Sequence, residues 1–128
     1  MAGEFTELVG LRVEVEEVLY MPHLDAPDDR PFPFVYFLSI INDSTEAVTI
    51  LGRKWILSEC DGETVVVEGQ GVVGESPEIE PGEKFSYNSY HVIKTKTQVR
   101  GSFFGKLKGG KRVRVAIPEF KLQLPMEG

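Results

Sequence analysis

Residues 69–74 read Gly-Gln-Gly-Val-Val-Gly, the spacing of a dinucleotide-binding fingerprint. That chemistry needs a strand running into a helix, because the helix N-terminus holds the pyrophosphate. Thr64–Glu68 reads as the strand, but Glu75–Gly82 carries Pro77 and Pro81 and no helical repeat. A ribose-binding acid belongs about 20 positions further on, yet no Asp or Glu lies between Lys84 and Pro118. Gly69, Gly71 and Gly74 are therefore expected to serve turns and close backbone approach. A backbone N–H nest for an anion is the alternative chemistry at this stretch.

Three other groups of residues invite chemistry. Ser86, Ser89, Tyr90 and His91 put hydroxyls beside an imidazole, but no orienting third group is identifiable. In a strand Tyr90 and His91 point to opposite faces. The expectation is a packing or capping Tyr87 and a surface His91, with no catalytic residue. Met21, His23, Asp25, Asp28 and Asp29 sit on one acidic, proline-rich stretch without the spacing of an ion-binding loop, so no metal site is assigned. Arg100, Lys106, Lys108, Arg112 and Arg114 flank Gly109-Gly110 and read as a basic hairpin. Matching its faces places Lys106 near Arg114 and Lys108 near Arg112. Like charges directly opposite are destabilising. Either an adjacent acidic strand carrying Glu14 and Glu16 or an anionic ligand would relieve them, and Phe104 could serve such a ligand as an aromatic platform.

These residues must be held by strands. Leu11, Val13 and Val15 alternate with Arg12, Glu14 and Glu16. Phe34–Ile41 is apolar nearly throughout and reads as a central strand. Val48–Leu51 and Lys54–Leu57 form a strand or strand pair interrupted at Gly52, where a bulge is expected. Asp61-Gly62 is a hairpin signal. Thr97–Lys108 and Lys111–Ile117 make the basic hairpin, and Phe120–Leu124 a last edge segment. Met21–Pro33 reads as a long surface loop. These elements predict an all-β, antiparallel β-sandwich of two sheets with about 7–9 strands. Its expected core includes Val13, Val15, Phe37, Ile40, Trp55, Val99, Val113 and Val115.

The 128 residues suit one domain with a core roughly over 11–125. No apolar run reaches the ~20 residues of a membrane helix, no basic-apolar leader opens the chain, and Cys60 is the single cysteine. A cytoplasmic location is the simplest reading. The net charge of −6 disfavours general nucleic-acid binding. Charge is segregated along the chain: residues 1–83 hold 4 Lys+Arg against 18 Asp+Glu, and residues 84–128 hold 10 against 2.

Four segments together resemble the ApaG family (DUF525): Leu51-Gly52-Arg53-Lys54-Trp55; Gly69–Gly74 with Pro77, Ile79 and Pro81-Gly82; Phe85-Ser86-Tyr87-Asn88-Ser89; and Ile117-Pro118-Glu119-Phe120-Lys121-Leu122. The resemblance spans roughly Leu11 to Pro125 and departs from the usual pattern at Gly101–Phe104. It implies a fibronectin type III-like or immunoglobulin-like sandwich and an association with cobalt and magnesium resistance and with dinucleoside polyphosphate metabolism. It implies no securely assigned catalytic activity and no cofactor. Related domains in eukaryotic F-box proteins and a polymerase delta-interacting protein look like protein-interaction modules. The expected function is a non-enzymatic binding module for a protein partner. The alternative is a nucleotide- or pyrophosphate-binding protein or hydrolase. Its candidate ligand residues are Gly69, Gly71, Gly74, Arg100, Lys106, Arg112 and Arg114.

Overall fold

The computed structural model describes residues 5–124, and they form nine strands and no helix. The strands are β1 (Thr6–Glu7), β2 (Leu11–Tyr20), β3 (Phe32–Asn42), β4 (Val48–Glu59), β5 (Thr64–Gln70), β6 (Glu78–Ile79), β7 (Lys84–Ile93), β8 (Thr97–Leu107) and β9 (Arg112–Leu122). One sheet runs β1-β9-β8-β4-β5, with β6 also on β4, and the other runs β2-β3-β7. Every pairing is antiparallel except the short parallel β1–β9 contact. The result is an open, all-β sandwich.

Alternation builds the core. β9 buries Val113, Val115 and Ile117 and exposes Arg112, Arg114 and Ala116. Val99, Phe103 and Leu107 of β8 and Val48, Ile50, Trp55 and Leu57 of β4 complete the large sheet's inner face. Trp55 is 1% exposed and packs against Tyr36 and His91, so it fills the space between the sheets as the sequence implied. Phe37 does not belong to this core. On β3 the inward residues are Phe34, Tyr36, Leu38 and Ile40, and Phe37 points to the other face. Where both faces of a strand are apolar, alternation cannot say which one turns inward.

Two bulges correct the strand boundaries. β4 is one continuous strand whose register slips against β8 between Ile50 and Gly52, the bulge that the glycine suggested. β9 runs through Pro118 to Leu122 rather than ending before a separate edge segment. Its register slips opposite Val99 and Gly101, so the proline sits where a ladder N–H is not needed.

The long loop before β3 is tied down by charge. Glu59 has a fully buried carboxylate that pairs with Arg30. It also accepts bonds from the Lys94 and Thr95 amides at 3.1 and 3.0 Å. Burial alone would raise its pKa, but Arg30 and these amides outweigh burial and hold it below the usual value. Arg30 and Lys94 also share Glu63. Among the described residues no three His, Cys, Asp or Glu side chains are gathered as a group that could hold a metal ion. Nor is any helix there long and apolar enough to cross a membrane.

Candidate ligand face of the large sheet

The two sequence candidates, glycine-rich stretch and basic hairpin, lie on the same sheet and have opposite characters. After Gln70 the chain leaves the β4 edge, turns, and returns at Pro77 to form β6 on that same edge. Val72 and Glu75 exchange both backbone hydrogen bonds, at 2.7 and 3.0 Å. Between them Val73 has φ +44° and Gly74 φ +82°, the two positive values of a type I′ turn. The Gly71 N–H donates to the Leu51 carbonyl at 2.7 Å, and Val72 is fully buried beneath the turn. Arg53 lies against Gly69 and donates through Nη1 to the carbonyls of Gln70 (2.9 Å) and Gly71 (3.1 Å). A Cβ on Gly69 would meet that guanidinium at 2.7 Å. The stretch thus offers carbonyls to an internal cation and uses most of its amides internally. No helix follows it.

The hairpin behaves differently. Arg100, Lys106, Lys108, Arg112 and Arg114 are all exposed, as alternation required. Their register is shifted from the expected one: Lys106 faces Arg112, and Arg114 faces Phe104. The turn explains it. The Leu107 N–H donates to the Lys111 carbonyl, so the three-residue loop is Lys108–Gly110, centred on Gly109 instead of Gly110, and Gly110 takes φ +93°. Lys108 leaves the group and lines a separate depression with Glu46 and Glu80. Glu14 and Glu16 form no ion pair with the hairpin's cations, although β2 passes beside β9. They lie on β2 in the other sheet, where Glu14 pairs with Arg12. The strand beside β9 is β1, which sets Glu7 opposite Arg114. Among the described residues none of these five cations forms an ion pair.

Lys106 and Arg112 border a groove of about 700 Å³ on the outer face of this sheet. Gly52, Phe104 and Gly105 form its floor, Leu51 and Glu68 one wall, and Phe5 the other. The Phe5 and Phe104 rings lie 5.1 Å apart, and the Arg112 guanidinium sits 5.8 Å from the Phe5 centroid. Such a cation–π contact holds the guanidinium at the rim without neutralising it. Arg114 shares a row with Phe104, and Arg100 lies further along β8 on the same face. Gly69, Gly71 and Gly74 do not line the groove. Phe5 and Leu51 are the contributors that sequence reasoning missed. Phe5 arrives only through the β1–β9 pairing, and Leu51 only through the β4 bulge.

The hydroxyl–imidazole group disperses. The Tyr90 hydroxyl donates outward to the Asp25 carbonyl at 3.1 Å. His91 turns inward, contrary to the surface position expected of it, and is 7% exposed. It stacks on Tyr36 at 4.7 Å, and burial lowers its pKa to about 4. Burial likewise raises Tyr36 and Tyr87. His91 Nε2, Trp55 Nε1 and Tyr87 Oη are buried without a hydrogen-bond partner. The Ser86 hydroxyl bonds that of Ser39 at 2.7 Å. No nucleophile–base pair is assembled from these residues.

The model of the DUF525 (ApaG domain) family matches residues 22–107. The chain belongs to the ApaG family. It is 40% identical over 114 residues to Protein ApaG of Enterobacter sp. (strain 638), covering 88% of this chain and 90% of that protein. It is 37% identical over 116 residues to Protein ApaG of Azoarcus sp. (strain BH72), covering 89% and 91%. Among solved structures it resembles the X-ray structure of structural-genomics target SoR45, with a TM-score of 0.83 and 32% identity over 93% of this chain and 90% of that one. The putative ApaA protein from Bordetella pertussis gives a TM-score of 0.78 and 26% identity over 96% and 99%. The ApaG fold is thus the frame on which both candidate regions sit.

Proposed function

We propose that this ApaG-family chain is a non-enzymatic binding module, acting in the cytoplasm, that docks an acidic segment of a protein partner on the outer face of its large sheet. The observation that carries the reading is the groove: two aromatic rings beside cations that have no ion-pair partner among the described residues. Cations around an apolar floor suit a segment that mixes carboxylates with apolar side chains. The test is NMR shift mapping with a synthetic hexapeptide of alternating glutamate and phenylalanine. Shifts should centre on Phe104, Lys106 and Arg112 and fade as salt rises. No shift at those residues sinks the reading.

A second reading, a nucleotide or pyrophosphate ligand, has one observation in its favour. The adjacent Val73 and Gly74 amides at the turn tip donate to no described group, and neighbouring free N–H groups can receive an anion. Titration with a dinucleoside polyphosphate, with and without magnesium, separates the two. Shifts confined to 73–74 favour this reading, and shifts at the groove do not.

A further inference from the structure

We infer that β5 is a self-association edge, at which a second copy of this chain adds its own β5 antiparallel across a twofold axis at Val66. The inference is independent of the groove reading.

An edge strand exposes unpaired backbone N–H and C=O groups, and proteins normally blunt such edges with charge, proline, bulges or a covering segment. The other edges here are blunted. β2 carries Arg12, Glu14, Glu16 and Glu17 and a register slip between Val15 and Glu17. β9 is partly covered by β1. β7 opens on Lys84, and its Tyr90 is tied to the loop at Asp25. Among the described residues β5 has no proline, bulge or covering strand, and Glu68 is its single charge. It reads Thr-Val-Val-Val-Glu-Gly-Gln, without Pro, Lys or Arg. Both its faces are partly open, because a three-strand sheet opposes a longer one, although Val65 packs against the core. Val66 on the outer face is 50% exposed, and Val67 on the inner face is still 38% exposed.

The sequence around Val66 is self-complementary. In the antiparallel register centred there, Val66 faces Val66 of the second copy, Val65 faces Val67, and Thr64 faces Glu68. Glu63 would face Gly69, and Glu63 is already held by Arg30 and Lys94. No like charges fall directly opposite, and each apolar side chain meets another on its own face. Such pairing merges two large sheets into one, with both grooves on the same side. A seven-residue seam is small, so association should depend on concentration.

Analytical ultracentrifugation over a dilution series should show wild type moving between twice and once the 14.3 kDa chain mass. Val66→Lys and Val66→Glu should each stay at the single mass while keeping the wild-type circular dichroism spectrum. Mixing the two variants should restore the doubled mass, since Lys and Glu then meet at the axis. Leu19→Lys, on β2, should behave as wild type. In a Cys60→Ser background, Val66→Cys should cross-link to a covalent dimer on mild oxidation, which needs no charged variant to fold. Wild type at the single mass throughout, no recovery on mixing, or no cross-link each overturns the inference.

Discussion

The glycine-rich turn and the basic hairpin stand two strands apart on one sheet, and both suggested a ligand. In the turn, polar groups are answered from within: Arg53 by two carbonyls, Gly71 by Leu51, Val72 by Glu75. On the hairpin, Lys106, Arg112 and Arg114 meet no acid within ion-pair distance among the described residues. The contrast teaches that glycine spacing reports what the backbone must do. Unanswered surface charge is the better pointer to something outside the chain. Substitutions should separate the two regions, the turn responding in stability and the hairpin in binding.

The largest effect lies beneath both, in the core they share. His91 has a folded pKa of about 4 against 6.5 when unfolded. Between those values the unfolded chain holds a proton that the folded chain lacks, so stability falls as pH drops from 6.5 toward 4. The loss approaches roughly 3 kcal/mol at about 1.4 kcal/mol per pKa unit. The depressed Glu59 adds to it below about 4.5. Urea midpoints at pH 7 and pH 5 should differ strongly in wild type and much less in His91→Phe. Equal pH dependence in the two proteins would show that His91 is not the titrating group.

Next comes the turn. At Gly71, φ is +63° and a Cβ would run into the Glu75 carbonyl oxygen. Gly71→Ala should cost about 2 kcal/mol or more in urea unfolding. At Gly74, φ is +82° but the space is open, so Gly74→Ala should cost only about 1 kcal/mol. A stable Gly71→Ala protein with lost nucleotide affinity would reverse the comparison. Val73 tests the same geometry from the other side. A β-branched residue at φ +44° is strained. Val73→Gly should therefore stabilise by a few tenths of a kcal/mol up to about 1 kcal/mol, read as a raised urea midpoint.

How much of this was legible depends on the residue. Face alternation placed Val99, Val113, Val115 and the five cations correctly, because a half-buried strand writes its faces into its sequence. The hairpin register was not legible, since it follows from a three-residue loop with Gly110 at positive φ. Two adjacent glycines do not say whether the loop centres on Gly109 or on Gly110, and that one-residue choice moves every pairing by two. Phe37 was misplaced because β3 is apolar on both faces. His91 was misplaced because alternation separates it from Tyr90 without saying which faces inward. The groove needed Phe5, more than a hundred residues from Arg112 in sequence. A two-residue parallel strand gives almost no periodic signal.

The smallest effect on stability should come from replacing Arg112 and Arg114 together by alanine. Both side chains are exposed. The Arg112 contact with Phe5 is lost, worth about 0.5–1 kcal/mol at an exposed site. Against this, Lys106 no longer faces a like charge across β8–β9. The two terms oppose each other, so the urea midpoint should move by no more than about 0.5 kcal/mol. Binding should respond quite differently. Affinity for the glutamate–phenylalanine peptide should fall, and its dependence on salt should flatten, because fewer charges remain to be screened. The Arg112→Lys, Arg114→Lys pair should keep the salt dependence while losing part of the affinity, since lysine retains charge but not the planar stacking surface. Unchanged peptide affinity in the alanine pair, with stability intact, would remove the hairpin from the binding face.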